Sequence, residues 1–259
     1  MDPSGRHFVL VHGAGHGAWC WYKLATLLKL AGHRVTALDM AASGVHPKQV
    51  DELHSMSDYY QPLMEFMKSL PADDQVVLVG HSAGGISISV AMERFPEKVS
   101  VGAFVASFMH GPDLNLATVY RKFSGVESSM DARHRYEEGQ GKPPTSFHWG
   151  PKQMQSKLYN LSPPEDLTLA TMLVRPHSSY YHDEAGLVND TALTKENYGS
   201  VRRVYVVVED DCMVKEEFQR WLIENNPVDE VKVISGADHM VMFSKPQELS
   251  SCLLGLAEK

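Results

Sequence analysis

The segment Val76-Val-Leu-Val-Gly-His-Ser-Ala-Gly-Gly-Ile86 decides the fold prediction. Its first four residues are apolar and predict a buried strand, whereas the residues from Gly84 onward are compatible with a helix. Between them lies Gly80-His-Ser-Ala-Gly84, a G-x-S-x-G pattern whose glycines remove Cβ atoms that would collide with the strand and the helix. The G-x-S-x-G pattern also occurs in glycine-rich turns that contain no catalytic residue. Here its position between a strand and a helix favours a catalytic turn in which Ser82 is an exposed nucleophile.

Strands and helices alternate on both sides of this segment. Six short apolar and β-branched runs predict strands: His7–Val11, Arg34–Leu38, Gln75–Val79, Val101–Ser107, Arg203–Val208 and Val231–Ile234. Most of them are separated by amphipathic stretches of helical length: Trp19–Leu30, Met56–Leu70, Gly84–Arg94, Glu216–Asn225 and Gln247–Leu256. This alternation predicts an α/β fold with a doubly wound, mostly parallel, six-stranded sheet.

The alternation stops between about residues 110 and 198, where Pro, Ser, His and Tyr are frequent and no continuous strand pattern occurs. We interpret this stretch as a cap inserted into a single domain that spans residues 1–259. Inside it, Lys152–Asn160 and Pro164–Leu173 are predicted helices. The second has a proline in its first turn and acidic residues near its positive end.

The composition argues against several classes of protein. The 259 residues include 24 Lys and Arg against 32 Asp and Glu, a net charge of -8, and no basic run, so nucleic acid is not an expected partner. Three cysteines without CxxC spacing predict free thiols, not disulfides or a zinc site. No stretch approaches the roughly 18 apolar residues of a membrane span, and no signal segment precedes Phe8. We therefore expect a cytoplasmic protein without membrane contact.

The loop after the first strand, Phe8-Val-Leu-Val-His-Gly-Ala-Gly-His-Gly-Ala18, is rich in glycine. It has neither the Lys-Ser/Thr ending nor the G-x-G-x-x-G spacing of phosphate-binding loops, so nucleotide binding is not favoured. A loop in this position supplies one half of an oxyanion hole. We predict that the backbone N–H groups of Ala14 and Ala83 stabilise a tetrahedral oxyanion, since Ala83 directly follows Ser82.

A base and its orienting acid follow the nucleophile in the chain, each after a late strand. The strand Arg203–Val208 is followed by Glu209, Asp210 and Asp211, and the next strand is followed by His239. In α/β-hydrolases the three residues of the catalytic triad follow one another in the chain in the order serine, acid, histidine, and this sequence has the same order. Most of the 13 histidines are expected to be surface or core residues, but the position of His239 singles it out. The spacing does not decide which of the three acids, Glu209, Asp210 or Asp211, orients His239.

A wider set of motifs resembles one protein family. The motifs are Phe8-Val-Leu-Val-His-Gly-Ala14, Val35-Thr-Ala-Leu-Asp-Met-Ala-Ala-Ser-Gly44, Gly80-His-Ser-Ala-Gly-Gly85, Tyr198-Gly-Ser-Val201 and Gly236-Ala-Asp-His-Met240. Together they are similar, over essentially the whole chain, to the plant methylesterases of the α/β-hydrolase fold. That family includes salicylic-acid-binding methylesterases, methyl jasmonate esterases, polyneuridine aldehyde esterase and related hydroxynitrile lyases.

The resemblance implies a catalytic triad of Ser82, Asp211 and His239, because it aligns the family's catalytic aspartate with Asp211. It also implies hydrolysis of a small, methyl-type carboxylic ester, a six-stranded core sheet under a cap, no cofactor and, in many members, a homodimer. The lyases of the family use a threonine and a lysine where this chain has Gly13 and Met240. An open oxyanion hole and the lack of an ammonium for cyanide favour an esterase over a lyase.

The substrate pocket is less well predicted than the triad. Candidate lining residues are Gly13, Phe108, Met109, Tyr120, Phe123, Trp149, Tyr180 and Met240, although aromatic residues in a cap often serve packing alone. The chain departs from the family around 130–136 and 177–182, and this departure leaves the ester unidentified. A ligand receptor built on a hydrolase fold and a lyase-like or decarboxylating catalyst are the alternative functions.

Overall fold

The computed structural model describes residues 5–124, 130–137, 139, 141–180 and 184–257. Six parallel strands form one sheet: β1 (His7–Val11), β2 (Arg34–Leu38), β3 (Val76–His81), β4 (Val99–Val105), β8 (Arg203–Val208) and β9 (Glu230–Ile234). Their order across the sheet is β2-β1-β3-β4-β8-β9. The predicted α/β fold with a six-stranded parallel sheet is confirmed.

Helices cover both faces of this sheet and fill part of the predicted cap. They are α1 (Tyr22–Leu30), α2 (Met56–Ser69), α3 (Gly84–Arg94), α4 (Leu116–Ser124), α5 (Pro151–Gln153), α6 (Pro164–Leu173), α7 (Glu184–Asp190), α8 (Glu216–Asn225), α9 (Val241–Ser244) and α10 (Pro246–Ala257). The stretch predicted as one helix over Lys152–Asn160 is instead α5 followed by a π-helical turn, Met154–Leu158. No helix in the described ranges is long and apolar enough to span a bilayer.

The ends of the two central strands differ from the prediction. Strand β3 continues through Gly80 and His81, because these residues still pair with Phe104 and Val105 of β4. Strand β4 ends at Val105 and does not reach Ser107, because Ala106 has a φ of +44°. This left-handed conformation turns the chain out of the sheet.

Between β4 and β8 the structure contains a small antiparallel sheet that the sequence did not predict. Its strands are β5 (Arg133–Arg135), β6 (Ser146–His148) and β7 (His177–Ser178), paired in that order. Strands of two or three mostly polar residues are too short to produce a periodic apolar pattern.

The core has two halves, one on each side of the main sheet. Alternate residues of β1 face opposite sides, so Val9 and Val11 pack in one apolar cluster and Phe8 and Leu10 in the other. A parallel sheet covered on both faces has nearly continuous apolar strands, which explains why the six runs were visible in the sequence.

Seven of the described histidines are buried, and five of them are His12, His16, His81, His110 and His177. Burial lowers the pKa of His16 and His177 to about 3 and that of His110 to about 4. Burial also lowers the pKa of His12 and His81. These rings are therefore neutral in the folded protein at pH 7.

The first prediction concerns the packing of α3. A Cβ atom on Gly85 would lie 2.1 Å from both the Phe108 carbonyl oxygen and Ser107 Oγ. We expect Gly85→Ala to lower the free energy of unfolding by about 2 kcal/mol or more, although alanine favours helices. The control is Gly255→Ala in α10, where the added Cβ meets no atom within 4 Å; it should stabilise by up to about 1 kcal/mol. Urea unfolding measures both, and equal effects of the two changes would contradict the packing argument.

The second prediction concerns acid stability. Unfolded histidines titrate near pH 6.5, so below that pH the unfolded chain binds more protons than the folded one. The free energy of unfolding should therefore fall steeply from about pH 6.5 towards pH 4, by up to about 1.4 kcal/mol per pH unit for each buried ring. Urea titrations at several pH values test this. His110→Gln keeps a donor for the Thr191 carbonyl. It should reduce the slope of the free energy of unfolding against pH by the contribution of one histidine. An unchanged slope would argue against buried His110 as a cause of the acid sensitivity.

Candidate active site

Ser82 lies in the turn between β3 and α3. Its φ is +52°, a left-handed conformation that is rare for a residue with a side chain. Its N–H donates to the Val105 carbonyl at 3.3 Å. Its carbonyl accepts from Phe108 N–H at 3.1 Å and from Ser107 Oγ at 2.7 Å. The end of β4 therefore holds the strained turn in place.

The two glycines of the G-x-S-x-G pattern are required by close contacts. A Cβ atom on Gly80 would lie 2.9 Å from the Gly84 carbonyl, and one on Gly84 would lie 2.5 Å from the Val11 carbonyl oxygen. Both contacts are closer than real Cβ atoms permit. The serine turn can therefore sit against β1 only because neither residue has a side chain.

His239 and Asp211 are hydrogen-bonded in the buried interior. His239 Nδ1 lies 2.7 Å from Asp211 Oδ2. Because a carboxylate accepts only, Nδ1 carries the proton and Nε2 is left as a base. The other carboxylate oxygen, Oδ1, accepts from the N–H groups of Met213 and Val214 at 2.7 and 2.8 Å. Asp211 is thus held by its own loop and orients the imidazole.

The other two acids after β8 have different partners. Asp210 accepts from Gly236 N–H at 2.7 Å, and Glu209 accepts from the Ser235 hydroxyl. Both therefore join the loop after β8 to the loop after β9. Of the three competing acids, the structure places Asp211 against His239.

His81, the residue before Ser82, contacts His239 directly. Its Nε2 donates to the His239 carbonyl at 2.8 Å, and the two ring centroids are 4.6 Å apart. Burial, followed by the neighbouring His239, lowers the pKa of His81 well below its usual value. A neutral His81 ring can hold the His239 loop without placing a positive charge beside the His239 ring.

The loop after β1 is held by His12. Its Nδ1 donates to the Gly13 carbonyl at 2.8 Å, and its Nε2 accepts from Met40 N–H at 3.1 Å. The Gly13 carbonyl and the Ala14 N–H belong to one planar peptide unit, so this bond also fixes the direction of the Ala14 N–H. Within the described part of the chain, neither the Ala14 nor the Ala83 N–H has an acceptor. Both amides are free to bind an oxyanion.

Residues of the predicted cap join this loop as well. The Ala14 carbonyl accepts from Trp149 Nε1 at 2.8 Å and from His16 Nδ1 at 2.9 Å. Arg175 N–H donates to the Gly15 carbonyl at 2.9 Å. The loop after β1 is therefore held between the main sheet and residues of the predicted cap.

A cavity of about 310 Å³ brings these groups together. It is lined by Ala14, Ser82, Ala83 and His239 and by five of the predicted pocket residues: Phe108, Tyr120, Phe123, Trp149 and Tyr180. None of its described lining residues is Lys, Arg, Asp or Glu. Within the same described part of the chain, no group of three His, Cys, Asp or Glu side chains is placed to hold a metal ion.

Three predicted pocket residues lie outside this lining. Met109 and Met240 are fully buried, each in one half of the core. Gly13 lies close to Ser82, where an added Cβ would be 2.8 Å from Ser82 Cβ and 3.1 Å from His81 Nδ1. Position 13 therefore affects the space around Ser82 without forming part of the wall.

The sequence did not single out several residues that line the cavity. They are Ala132, His134, Pro143, Pro144, Phe147, Gln153, His177, Ser178, Ser179, Met213 and Val214. Five of them lie in the stretches that departed from the family pattern: Ala132, His134, His177, Ser178 and Ser179. The departure from the family pattern was therefore the feature of the sequence that could have identified these lining residues.

Comparison with known proteins agrees with this geometry. The model of the alpha/beta hydrolase family matches residues 8–251. Methyl jasmonate esterase 1 of Vitis vinifera is 55% identical over 260 residues, covering 100% of this chain and 99% of that protein. Salicylic acid-binding protein 2 of Nicotiana tabacum is 47% identical, covering 99% of this chain and 98% of that protein.

A solved structure also matches this chain in its fold. The crystal structure of tomato methylketone synthase I complexed with 2-tridecanone matches with a TM-score of 0.93 and 49% identity, covering 98% of each chain. The chain therefore belongs to the alpha/beta hydrolase family and, within it, to the plant methylesterases.

Proposed function

We propose that this serine hydrolase cleaves a small methyl ester by way of an acyl-enzyme, with Ser82 as nucleophile, His239 as base and Asp211 as orienting acid. One observation carries the proposal. A buried Asp211–His239 pair, a strained serine turn and two unpaired backbone amides open into one cavity lined by uncharged side chains.

In the first half-reaction, Ser82 Oγ attacks the ester carbonyl carbon while His239 Nε2 takes the hydroxyl proton. The carbonyl oxygen becomes an oxyanion that the Ala14 and Ala83 N–H groups stabilise. The N-terminal end of α3 adds a partial positive charge behind Ala83. When the tetrahedral intermediate collapses, the carbon–oxygen bond to the alkoxide breaks and His239 returns its proton, so methanol leaves.

In the second half-reaction, water replaces the alcohol. His239 takes a proton from water, the hydroxide adds to the acyl carbon, and the oxyanion forms in the same hole. Collapse of this intermediate breaks the bond to Ser82 Oγ, which regains its proton from His239. The product is the free carboxylic acid.

The relatives indicate the ester class, and the cap is proposed to select among its members. The relative from Vitis is named for methyl jasmonate, so methyl jasmonate and methyl salicylate are the first substrates to assay. We also propose that residues 110–198 act as a cap over a single hydrolase domain, and that the enzyme is a cytoplasmic homodimer. Size-exclusion chromatography with light scattering tests the dimer.

The nucleophile assignment predicts the behaviour of Ser82→Ala. Because alanine keeps the Cβ atom and removes only the hydroxyl, folding should be retained while kcat/KM for methyl esters falls by about four orders of magnitude. The matched control is Ser200→Ala at an exposed position, which should retain full activity. Thermal unfolding checks the fold, and a fluorophosphonate should add mass to the peptide that contains Ser82. Near wild-type turnover by Ser82→Ala would refute the assignment.

The choice between esterase and lyase predicts a second result. Cyanide departure requires a nearby positive charge, and no lysine or arginine is among the described residues that line the cavity. Wild-type protein should therefore hydrolyse methyl esters and release cyanide from mandelonitrile at or near the uncatalysed rate. Faster cyanide release than hydrolysis of every methyl ester offered would favour the lyase.

A further inference from the structure

The loop that carries His239 is held by a part of the predicted cap that does not line the cavity. This part, residues 154–162, begins with the π-helical turn Met154–Leu158, in which the Tyr159 N–H donates to the Met154 carbonyl at 2.9 Å. We call residues 154–162 the bridging segment. Single π-helical turns are rare and frequently occur at functional sites. None of these residues lines the cavity, so an effect of the segment on the reaction would not arise from contact with the ester.

The bridging segment is bonded to the residues on both sides of His239. The Met240 N–H donates to the carbonyl of the last residue of the π-helical turn at 3.2 Å. Before His239 in the chain, Asp238 Oδ2 accepts from the Leu161 N–H and from the Ser162 hydroxyl, each at 2.8 Å. The backbone position of His239 therefore depends on where the bridging segment lies.

The same segment reaches the loop after β1. The Tyr159 hydroxyl donates to His16 Nε2 at 2.8 Å, and His16 Nδ1 donates to the Ala14 carbonyl at 2.9 Å. The Tyr159 ring also stacks on Phe243 of α9, with ring centroids 5.7 Å apart. The bridging segment thus connects the loop that presents the Ala14 N–H to the loop that presents His239.

Asp238 is an unfavourable residue for this position if stability alone is considered. It is 0% exposed, and its Oδ1 atom has no hydrogen-bond partner within the described residues. The two donors to Oδ2 are a backbone amide and a hydroxyl, and neither is charged. A buried carboxyl group with such partners costs folding free energy. Its presence beside His239 is explained if its hydrogen bonds serve the reaction.

The reaction requires a fixed distance between His239 and Ser82. The hydrogen bond to Asp211 orients the imidazole ring, whereas the backbone of residues 238–240 determines how far the ring lies from the serine. His81 holds the His239 carbonyl, and the bridging segment holds the two neighbouring residues. Misplacement of a catalytic group by about 1 Å can lower the rate about 100-fold.

We infer that Asp238 is a positioning residue, whose hydrogen bonds to Leu161 and Ser162 fix His239 at the distance from Ser82 that proton transfer requires. This inference rests on the proposed function, since it assigns a role in that same reaction. Asp238 does not line the cavity. Loss of its hydrogen bonds should therefore slow turnover and leave ester binding unchanged.

The test compares Asp238→Ala and Asp238→Asn on the methyl ester that the wild-type enzyme hydrolyses fastest. Alanine removes both hydrogen bonds, so kcat should fall about tenfold or more while KM stays within about threefold. Asparagine keeps an oxygen that can accept from both donors. It should therefore restore kcat to within about threefold of the wild-type value. An asparagine variant as slow as the alanine variant would assign the effect to the carboxyl group itself and overturn the inference.

Ser162→Ala tests the same contact from the bridging segment. It removes one donor to Asp238 from a partly exposed position and leaves the carboxyl group in place. We expect kcat to fall about threefold or more at unchanged KM. In the Asp238→Ala background, Ser162→Ala should have no further effect on kcat, because the acceptor is already absent.

Two matched controls separate this role from general effects on the cap. Ser156→Ala removes a hydroxyl of the same segment that donates to the Lys152 carbonyl at 2.8 Å; its kcat should equal that of the wild type. Asp166 is also buried, but it accepts from the Tyr22 hydroxyl and the Lys23 ammonium and so joins α6 to α1. Asp166→Asn should lower the Tm and leave kcat within about twofold when assayed well below that Tm.

A positioning role and a structural role give different results. A kcat of Asp238→Ala within about threefold of the wild type, or a raised KM with unchanged kcat, would overturn the inference. A lowered Tm with full turnover would assign Asp238 a purely structural role, which also overturns it. If Asp238→Ala does not fold, Ser162→Ala decides, and turnover equal to that of Ser156→Ala would contradict the inference. Failure of the wild type to hydrolyse any methyl ester, or hydrolysis that persists in Ser82→Ala, would instead refute the proposed function itself.

Discussion

The backbone of Ser82 is held in a left-handed conformation, with a φ of +52°, that costs a residue with a side chain about 1–3 kcal/mol. Hydrogen bonds from Ser107 and Phe108 to its carbonyl, together with the contacts that exclude a Cβ from Gly80, Gly84 and Gly85, maintain that conformation. The other groups of the site can act together only if this turn holds Ser82 in a fixed position beside them. The turn places both Ser82 and Ala83 in the lining of the cavity.

Buried neutral histidines connect the loops that carry the other groups. His12 fixes the peptide that presents the Ala14 N–H, His81 holds the carbonyl of His239, and His16 joins the Ala14 carbonyl to Tyr159. Each ring can donate at one nitrogen and accept at the other, so one side chain can bridge two loops without introducing charge. The same burial makes these bridges sensitive to acid, because protonation of the rings favours the unfolded chain.

Two parts of the molecule contribute separately to the site. The loops at the carboxyl ends of the parallel strands supply Ser82, His239 and the N–H groups of Ala14 and Ala83, which we propose to be the nucleophile, the base and the oxyanion donors. The segment between β4 and β8 supplies most of the cavity wall, including His134, Gln153 and His177. Trp149 and Arg175 join the two parts through hydrogen bonds to the oxyanion loop. The chemistry and the choice of acyl group can therefore vary almost independently.

The sequence alone determined the parallel sheet, the serine turn, and the placement of Asp211 and His239 after late strands, because these features depend on local apolar runs, glycines and chain order. Helices α3 and α6 begin and end where the pattern predicted them. The family resemblance already indicated Asp211 as the acid, and the tertiary structure shows its contact with His239. Only the tertiary structure decided that Met109 and Met240 are buried in the core away from the cavity. It alone also decided that Gln153 and His177 line that cavity. These outcomes depend on contacts between residues far apart in the chain and on strands too short to leave a periodic signal, so no local pattern could reveal them.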